Sequence, residues 1–336
     1  MSVRTLNNKI LSVVIPSYNC AEYLLETIPT FLDIDTSLKE CIEIIIVNDG
    51  STDYTATVGE QFEQTNPNVV RLINKENGGH GSTINTGIKV AKGKYFKVVD
   101  GDDFVDSPNF EKLIRFLLEI DVDQVVTPYV NFFEITNQRQ VDGVLSVKEK
   151  QITSIDEFLK ETGAIPAMHA IVYKTELLRD KGIQLYEHCF YVDMQYIVFP
   201  LQYVETVAYL NAPLYQYRLG NAGQSVSMAS YVKNEKMHER VIKSLVEFIN
   251  HAEMSMVKEE MVNRRIADLC ATQTNIYLLN EDSKQGKEKY ELLREYLKEH
   301  HAYTYNNPFG KKDKLLSKFS WLWHGLAYGY KVKVKK

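Results

Sequence analysis

Alternating strand and helix patterns over residues 10–103 constrain the fold of this 336-residue chain more than any other feature. Short runs of valine and isoleucine recur there, and between them apolar residues return at helical spacing. Continuous apolar strands joined by amphipathic helices are typical of a parallel sheet covered on both faces. The sequence therefore predicts an α/β fold with a doubly wound, mostly parallel sheet.

The pattern predicts each strand and helix of this region in turn. The predicted strands cover residues 10–16, 42–47, 69–73 and 95–99. The predicted helices carry Leu24, Leu25, Ile28 and Leu32, then Val58 and Phe62, then Ile84 and Ile88, with Gly93 closing the last. A polar loop follows every strand, and open α/β sheets bind ligands at this edge. The loops therefore predict one shared site.

Three carboxylates follow the fourth predicted strand, where Gly101 separates Asp100 from Asp102 and Asp103. Carboxylates so closely spaced repel one another unless a cation lies between them, and oxygen ligands on a short turn suit Mg²⁺ or Mn²⁺. A cation at this place would carry a diphosphate. A solvated acidic turn is the alternative that these residues alone leave open. An EF-hand calcium loop is disfavoured, because residues 104 and 105 are apolar.

Ordered motifs resemble those of the family 2 nucleotide-sugar glycosyltransferases over about residues 10–227. They are VVIPSYN at 13–19, NDGSTD at 48–53, NGGHGSTINTG at 77–87, VVDGDD at 98–103, VD at 192–193, and YQYR with GQSVS within 215–227. The resemblance implies a GT-A fold and inverting transfer of a sugar from a nucleotide diphosphate, most simply a UDP-sugar. It also implies Mn²⁺ or Mg²⁺, a glycan or lipid-linked glycan acceptor, and a role in cell-surface polysaccharide or glycoconjugate synthesis.

The resemblance also implies roles for individual residues. Asp102 corresponds to the metal ligand, Asp100 contacts the metal or the ribose, and Asp49 reads the uracil. The remaining implied donor contacts are Pro16, Tyr18, Asn19, Asn77, Gly79, Gly101 and Arg218.

Two of these positions have a structural alternative. Asn19 could cap the helix that begins near Glu22. For Asp49 a capping role is less suitable, because Ser51 stands closer to the start of the next helix. Each alternative predicts a hydrogen bond from a helix amide to the capping side chain.

The glycine cluster after the third strand permits close backbone approach and precedes a helix whose first turn favours anions. We therefore expect it to contact the diphosphate or the donor sugar. Ile84 stands where the family often has an arginine before its motif Asn85, so an expected cation is missing. His80 or Arg218 is the predicted substitute, and a solvated loop histidine is an equal alternative for His80.

Inverting transfer requires a base that takes the proton of the acceptor hydroxyl. Asp193 matches the second acid of the family's E-D motif, and Val192 replaces the first. We therefore predict Asp193 as the base, with an ordinary helix-start acid as the alternative. Glu187 and His188 are predicted to be surface loop residues, with contact to the acceptor or the leaving group as the alternative.

Composition agrees with a cytoplasmic enzyme. At 44% hydrophobic residues, the chain can bury one large core with a helical annex. Its four cysteines lack paired spacing, which disfavours a zinc site or a disulfide framework. Neither a signal sequence nor a stretch of transmembrane length is predicted. We predict a transferase domain at 1–227, a helical extension at 228–308 and a basic aromatic tail at 309–336, and an oligomer is compatible with the sequence.

The tail at 309–336 carries eight lysines and one acid, whereas the whole chain has a net charge of −5. Both tryptophans of the protein lie among these lysines. This composition predicts a helix at the membrane interface, peripheral to the inner face of the membrane. A helix docked on the core with a disordered basic end is the alternative. No nucleic-acid partner is expected, because the remaining chain is acidic and lacks a reader motif.

Two other functional classes are compatible with parts of the sequence. A sugar nucleotidyltransferase uses a similar sheet, but the Gly-rich, Arg-containing loop and activating Lys of that class are absent from residues 13–23. A degenerate relative that binds glycan or assembles with a true transferase is the non-enzymatic alternative. The presence of Asp100, Asp102 and Asp193 disfavours it.

Overall fold

The computed structural model describes residues 9–220 and 227–334. It divides into two compact units, Met1–Asn221 and Ala222–Lys336. Residues 223–226 of the GQSVS motif lie outside the described residues. The three-part division predicted from the sequence stays a prediction.

The first unit contains the strands predicted from the sequence and several that were not. Its strands are β1 (Leu11–Ser17), β2 (Ile42–Asp49), β3 (Val70–Lys75), β4 (Tyr95–Val98), β5 (Phe104–Val105), β6 (Gln124–Val126), β7 (Tyr129–Phe133), β8 (Gln138–Asp142), β9 (Ile152–Ser154), β10 (Ile171–Lys174), β11 (Thr206–Tyr209) and β12 (Tyr215–Leu219). Its helices are α1 (Ala21–Leu32), α2 (Thr36–Lys39), α3 (Thr55–Thr65), α4 (His80–Val90), α5 (Ser107–Glu119), α6 (Ile155–Thr162), α7 (Thr175–Asp180) and α8 (Asp193–Val198). Short 3₁₀ turns cover Met168–Ala170 and Phe199–Gln202.

The main sheet of residues 9–220 has the strand order β3-β2-β1-β4-β10-β6-β11-β9. Strands β3, β2, β1 and β4 are parallel neighbours, while β10 and β9 run antiparallel to the strands beside them. Strands β1 and β2 are buried along their whole length, as expected of parallel strands covered on both faces. The structure confirms the predicted α/β fold with a mostly parallel sheet.

The register aligns the carboxyl ends of the parallel strands. Ser17 pairs with Asn48, and Asn48 pairs with Asn74 on the other side. Because these strands end together, their following loops share one edge of the sheet, which we call the rim. Helix α1 buries Leu24 and Ile28 in the core of this unit.

A second sheet, which sequence periodicity did not predict, has the order β5-β12-β7-β8. Strand β12 is antiparallel to β5 and parallel to β7. Gln216 of β12 pairs with Phe104, directly after residues 100–103, which we call the acidic turn. The second sheet therefore attaches that turn to a distant part of the chain.

Within residues 227–334 the second unit is helical, in agreement with the predicted end of strand signals after about residue 228. The predicted apolar positions Val241, Ile266 and Leu293 are buried. No helix of the described ranges is both long and apolar enough to cross a membrane. The helices are α9 (Met228–Lys233), α10 (Glu235–His251), α11 (Met256–Leu278), α12 (Ser283–His300), α13 (Ala302–Asn306), α14 (Lys311–Leu316) and α15 (Trp323–Val334), with a 3₁₀ turn at Ser320–Leu322.

The predicted role of Gly93 as a helix-closing residue is wrong. Helix α4 ends at Val90 with Ala91 as its cap, whereas the Gly93 amide donates to the Ser12 hydroxyl. A Cβ atom at Gly93 would lie 2.4 Å from the Ser12 backbone nitrogen. Close packing against β1, not helix termination, therefore requires glycine there.

Candidate active site

The loop after β1 is fastened to the loop after β2. The Asn19 amide donates to the Ser51 hydroxyl at 2.9 Å, and the Asn19 side-chain oxygen accepts from the Thr52 amide at 2.8 Å. Asn19 has a φ of 50°, a conformation that asparagine tolerates better than most residues. Its side chain does not cap α1, whose cap residue is Cys20, so the capping alternative for Asn19 is wrong.

Ser51 is also not a helix cap. Helix α3 begins at Thr55, and it is the Asp53 side chain that accepts from the Thr55 amide at 2.9 Å. Asp53 also accepts from the Ala21 amide at the start of α1. The last acid of NDGSTD therefore joins two helix starts, which the sequence pattern alone did not reveal.

Asp49, at the end of β2, is 2% exposed. It organises the turn that contains Gly78 and Gly79, which we call the glycine turn. Its Oδ1 accepts from Lys75 Nζ and from the Gly78 amide, both at 2.9 Å, and its Oδ2 accepts from the Gly79 amide at 2.7 Å. Asn77 donates to the Asp49 backbone oxygen at 2.9 Å. The structure thus brings Asp49, Asn77 and Gly79 together, with the Asp49 charge balanced by Lys75. A contact of Asp49 with uracil stays a prediction.

Gly79 needs the absence of a side chain for two reasons. Its φ of 83° lies in the region that favours glycine, and a Cβ atom there would lie 3.2 Å from the His188 backbone nitrogen. The His188 amide in turn donates to the Gly78 oxygen. This contact holds the loop before Asp193 against the glycine turn.

Asp100 and His80 form a pair at the rim, with His80 Nε2 2.7 Å from Asp100 Oδ1. Burial lowers the pKa of His80, but the charge of Asp100 and the bond to it raise that pKa more, so it lies above its ordinary value. Burial acts to raise the pKa of Asp100, and the charge of His80 outweighs it and holds that pKa below its ordinary range. The structure therefore places His80 beside the acidic turn, in direct contact with Asp100.

Asp102, in the same turn, differs from Asp100 in that its carboxylate has no ion-pair partner in the described part of the chain and its pKa is raised. Burial, and then the charge of Asp100, raise the pKa of Asp102 to about 6. Its carboxylate accepts no hydrogen bond from another residue of the described ranges. Such a carboxylate is available to a cation.

Gly101 allows the turn to pass close to β1. Its amide donates to the Pro16 oxygen at 3.1 Å, and a Cβ atom at Gly101 would lie 2.8 Å from that same oxygen. Pro16 is buried and contributes its backbone oxygen here, whereas the neighbouring Tyr18 is exposed. Of the predicted donor contacts Pro16 and Tyr18, it is Tyr18 that offers accessible surface.

Asp103, the third acid, is turned into the protein. Its Oδ2 accepts from the Tyr215 hydroxyl at 2.5 Å, and its Oδ1 accepts from the Arg218 amide at 2.7 Å. Burial, and then the charges of Asp102 and Asp100, raise the pKa of Asp103 well above its ordinary value. Asp103 joins the acidic turn to β12.

Arg218 is fastened to the acidic turn and to two further carboxylates. Its guanidinium contacts Glu26 at 2.7 Å and Glu134 at 3.2 Å, and its Nε donates to the Asp102 backbone oxygen at 2.7 Å. Because these groups already engage the cation, Arg218 stabilises the turn. Of the two predicted substitutes for the missing arginine, His80 is the better placed, and a donor contact by Arg218 stays a prediction.

His169 is a residue of this site that the sequence did not indicate. Ligand atoms of Asp100, Asp103 and His169 lie within 4.8 Å of one another, a set that shares Asp100 with the predicted ligand pair. The imidazole stacks on Tyr217 at 4.3 Å and lies against Tyr215 at 4.8 Å. Its Nδ1 is buried without a hydrogen-bond partner in the described part of the chain. Burial lowers the pKa of His169 to about 4, so the ring is neutral at physiological pH.

Nothing in the local sequence around His169 marks it. It stands in a 3₁₀ turn, Met168–Ala170, between apolar neighbours, and it reaches the site because β10 pairs with β4. Lys97 of β4 is buried and donates to the His169 backbone oxygen at 2.8 Å. The information that places His169 is therefore topological and does not form a local motif.

Asp193 is the first residue of α8. Burial raises the pKa of Asp193 above its ordinary value, although the charge of His80 opposes this. The charges of Asp100, Asp193 and Asp102 all raise the pKa of His80, so the predicted metal ligands and the predicted base interact electrostatically with one histidine.

The other residues singled out in the loop before Asp193 differ in their exposure to solvent. Glu187 and His188 are exposed, whereas Val192 is buried. A carboxylate at position 192 would therefore need a buried partner, and the valine found there packs in the core instead.

The arrangement has the GT-A fold. Residues 1–349 of TarS from S. aureus, solved with UDP-GlcNAc, are similar with a TM-score of 0.69 at 17% identity, covering 97% of this chain and 90% of the other. The mannosyltransferase PcManGT from Pyrobaculum calidifontis, solved with GDP-Man and Mn²⁺, has a TM-score of 0.54 at 12% identity, covering 98% and 86%. At these identities the likeness concerns the fold.

The sequence identifies the family. The profile described as Glycosyl transferase family 2 matches residues 12–180, and the chain belongs to this family of glycosyltransferases. It is 39% identical to the glycosyltransferase GlyG of Streptococcus pneumoniae over 128 residues, which is 38% of this chain and only 41% of GlyG. It is 27% identical to the uncharacterized glycosyltransferase EpsJ of Bacillus subtilis over 279 residues, 81% of this chain and 78% of EpsJ.

Proposed function

We propose that this protein is an inverting transferase that moves a sugar from a nucleoside diphosphate, a UDP-sugar in the first instance, to a hydroxyl of a glycan or lipid-linked glycan. The observation that carries the proposal is the acidic turn at the rim, where Asp100 contacts His80 at 2.7 Å and the Asp102 carboxylate accepts no hydrogen bond from another described residue. The UDP-GlcNAc complex of the similar TarS structure supports the choice of donor. Cell-surface polysaccharide or glycoconjugate synthesis is the proposed context.

A divalent cation fits the residues at the rim. Carboxylate oxygens suit Mg²⁺ and Mn²⁺. Asp102 and Asp100 would hold the ion, and His169, whose Nδ1 has no hydrogen-bond partner among the described residues, lies with Asp100 in one cluster of possible ligands. When bound, such a cation neutralises the charge that develops on the departing diphosphate. The Mn²⁺ in the similar PcManGT structure supports this choice.

The protein's own groups supply the remaining chemistry. Asp193 accepts the proton of the acceptor hydroxyl while that oxygen forms its bond to the anomeric carbon. The bond from the anomeric carbon to the diphosphate breaks, and its electron pair leaves with the nucleoside diphosphate. His80, whose pKa Asp100 raises, follows the glycine turn and takes part in binding the diphosphate. Asp49 and Asn77 hold that turn in place.

We also propose a cytoplasmic location at the inner face of the membrane. The support is the basic tail, because anionic lipids give the cytoplasmic leaflet its negative surface potential.

A donor screen tests the proposed activity. The protein should release the nucleoside diphosphate from one or a few members of a panel of nucleotide sugars, and only when Mn²⁺ or Mg²⁺ is present. Asp102→Asn should abolish that release, whereas Asp180→Asn, at the exposed end of α7, should not change it. Turnover that is equal in chelator would contradict the metal role, and no turnover with any donor would favour the non-catalytic alternative.

A further inference from the structure

The described part of the basic aromatic tail, residues 309–334, is docked within the second unit through part of its side chains. Trp323 is 0% exposed, its indole donates to the Ser283 oxygen at 2.8 Å, and its ring lies 5.2 Å from that of Tyr290. Leu316 is buried as well. These residues make the tail a fixed part of the unit, which agrees with the docked helix that the sequence left open as an alternative.

Other apolar side chains of the same segment are exposed. Trp321 is 74% exposed and Tyr328 is 75% exposed. Leu315 and Phe319 are exposed too, and the Phe319 amide donates to the Leu315 oxygen, so these two residues stand one helical turn apart. Leu315, Phe319 and Trp321 lie within seven residues of one another, and large apolar side chains exposed close together on a surface indicate an interaction site.

Exposed lysines accompany these apolar residues. Lys311 and Lys318 stand four residues before and three residues after Leu315, Lys314 directly precedes it, and all three lysines are exposed with it. Asp313, the one acid of the tail, is buried and accepts from the hydroxyl groups of a threonine and a tyrosine. The exposed part of the tail is therefore both apolar and positively charged.

We propose that Leu315, Phe319 and Trp321, with the lysines beside them, form a surface that binds an anionic lipid bilayer. Aromatic and aliphatic side chains enter the interfacial region while lysines remain with the anionic head groups. The charge favours an anionic partner, and the exposed Trp321 and Phe319 favour one with an apolar layer below its charge. This proposal names the residues that would hold the protein at the membrane location proposed above, and it does not depend on the transfer reaction.

The docking of Trp323 decides how the surface should be tested. Removing the whole tail would expose the Tyr290 surface that Trp323 covers, so loss of stability would obscure loss of binding. Substitution of the exposed residues alone avoids this, because they support little packing. The test therefore compares the parent with Phe319→Ala combined with Trp321→Ala, and uses Leu292→Ala, an exposed apolar residue of α12, as the matched control.

The measurement is co-sedimentation of the full chain with vesicles of phosphatidylglycerol and phosphatidylcholine, and with phosphatidylcholine alone. The parent should bind the anionic vesicles, and the double variant should bind them at least about tenfold more weakly. Lys314→Gln combined with Lys318→Gln should weaken binding about fivefold per lysine at low salt. Leu292→Ala should bind like the parent, and all variants should keep the parental melting temperature.

Three results would overturn the proposal. In the first, the parent ignores anionic vesicles. In the second, the aromatic double variant binds them as tightly as the parent. In the third, the parent binds single-stranded polynucleotide as tightly as vesicles, with no loss in the aromatic variant, which would indicate a general polyanion surface. Vesicle binding is measured without a sugar donor, so its failure leaves the donor screen unaffected.

Discussion

Two acidic loops at the rim differ in how their charge is balanced. In the loop after β2, Asp49 accepts from Lys75 and from the Gly78 and Gly79 amides. In the turn after β4, Asp102 accepts from no other residue of the described ranges, and burial with the charge of Asp100 raises its pKa to about 6. The carboxylate of Asp49 is therefore fully engaged by groups of the protein, whereas the carboxylate of Asp102 has no hydrogen-bond partner in another described residue.

The difference separates structural acids from binding acids. A carboxylate whose partners all come from the chain holds the backbone in one conformation. A carboxylate that lies beside like charges and lacks partners is stabilised by a cation that the chain does not supply. We therefore expect substitutions at Asp49 to affect folding first, and substitutions at Asp102 to affect ligand binding first.

Among variants that keep UDP binding, the largest effect is expected for Asp193→Asn, at an acid that we assign to chemistry and not to the fold. Asparagine keeps the size of the side chain but cannot accept the proton, so sugar transfer should fall by about 10²–10⁴-fold while UDP binding persists. Initial rates of transfer and UDP calorimetry measure the two quantities. Because burial raises the pKa of Asp193, the parental rate should also decline on the acid side at a pH above the ordinary aspartate pKa.

Asp180→Asn is the matched control for this substitution. A near-parental rate in Asp193→Asn would place the base elsewhere. A loss of UDP binding equal to the loss of rate would make Asp193 a binding acid instead.

The next effect in size is the loss of stability in Asp49→Asn. The amide group would replace one acceptor oxygen by a donor, opposite the glycine-turn amides, and Lys75 would lose its counter-charge. We expect the free energy of unfolding to fall by about 1.5–3 kcal/mol, the range for hydrogen bonds to charged groups. Urea unfolding measures it, and an unchanged midpoint would remove the distinction between the two loops.

A smaller change in the free energy of unfolding, expressed per pH unit, is expected from Lys97. Its buried amino group donates to the backbone oxygens of His169 and Ile171. Burial lowers the pKa of Lys97 from 10.5 to about 7. The unfolded chain therefore binds more protons than the folded chain between these pH values, and stability should rise with pH there by up to about 1.4 kcal/mol per unit.

Lys97→Met should remove this contribution to the pH dependence. Urea unfolding of parent and variant across neutral to mildly alkaline pH measures the two slopes. Lys89→Met, at an exposed position of α4, should keep the parental slope. Identical slopes in the parent and Lys97→Met would show that this lysine keeps its ordinary pKa when folded.

The smallest change is expected for the stability of Asp102→Asn without added metal. The substitution removes repulsion with Asp100 and breaks no hydrogen bond from another described residue, so unfolding should shift by about 0.5 kcal/mol or less, toward greater stability. The same urea measurement as for Asp49→Asn allows a direct comparison. A loss as large as that of Asp49→Asn would mean that both acids serve the fold.

The parts of this site that depend on strand ends could be predicted from the sequence. Asp49, Asp100 and Asp102 each follow an apolar strand, and parallel register brings those ends to one rim. The fold class was predictable for the same reason, since valine and isoleucine runs between amphipathic helices indicate one architecture.

The remaining parts depend on pairing that periodicity does not encode. Short strands such as β5 and β12 join distant positions of the chain, and through them Tyr215 and Arg218 engage Asp103. His169 arrives through the antiparallel pairing of β10. The two glutamates that engage Arg218 were likewise unpredictable, because a motif gives the residue and not its partners.

The most direct test is calorimetry of UDP binding with and without Mn²⁺, in the parent and in Asp102→Asn. Because the Asp102 carboxylate has no hydrogen-bond partner in another described residue, we predict that Mn²⁺ binds there and that the parent binds UDP more tightly with Mn²⁺. Asp102→Asn should lose this gain in affinity while remaining as stable as the parent. Equal UDP affinity in both proteins, with and without Mn²⁺, would contradict this prediction, because the acidic turn would then have no part in holding a cation or its diphosphate.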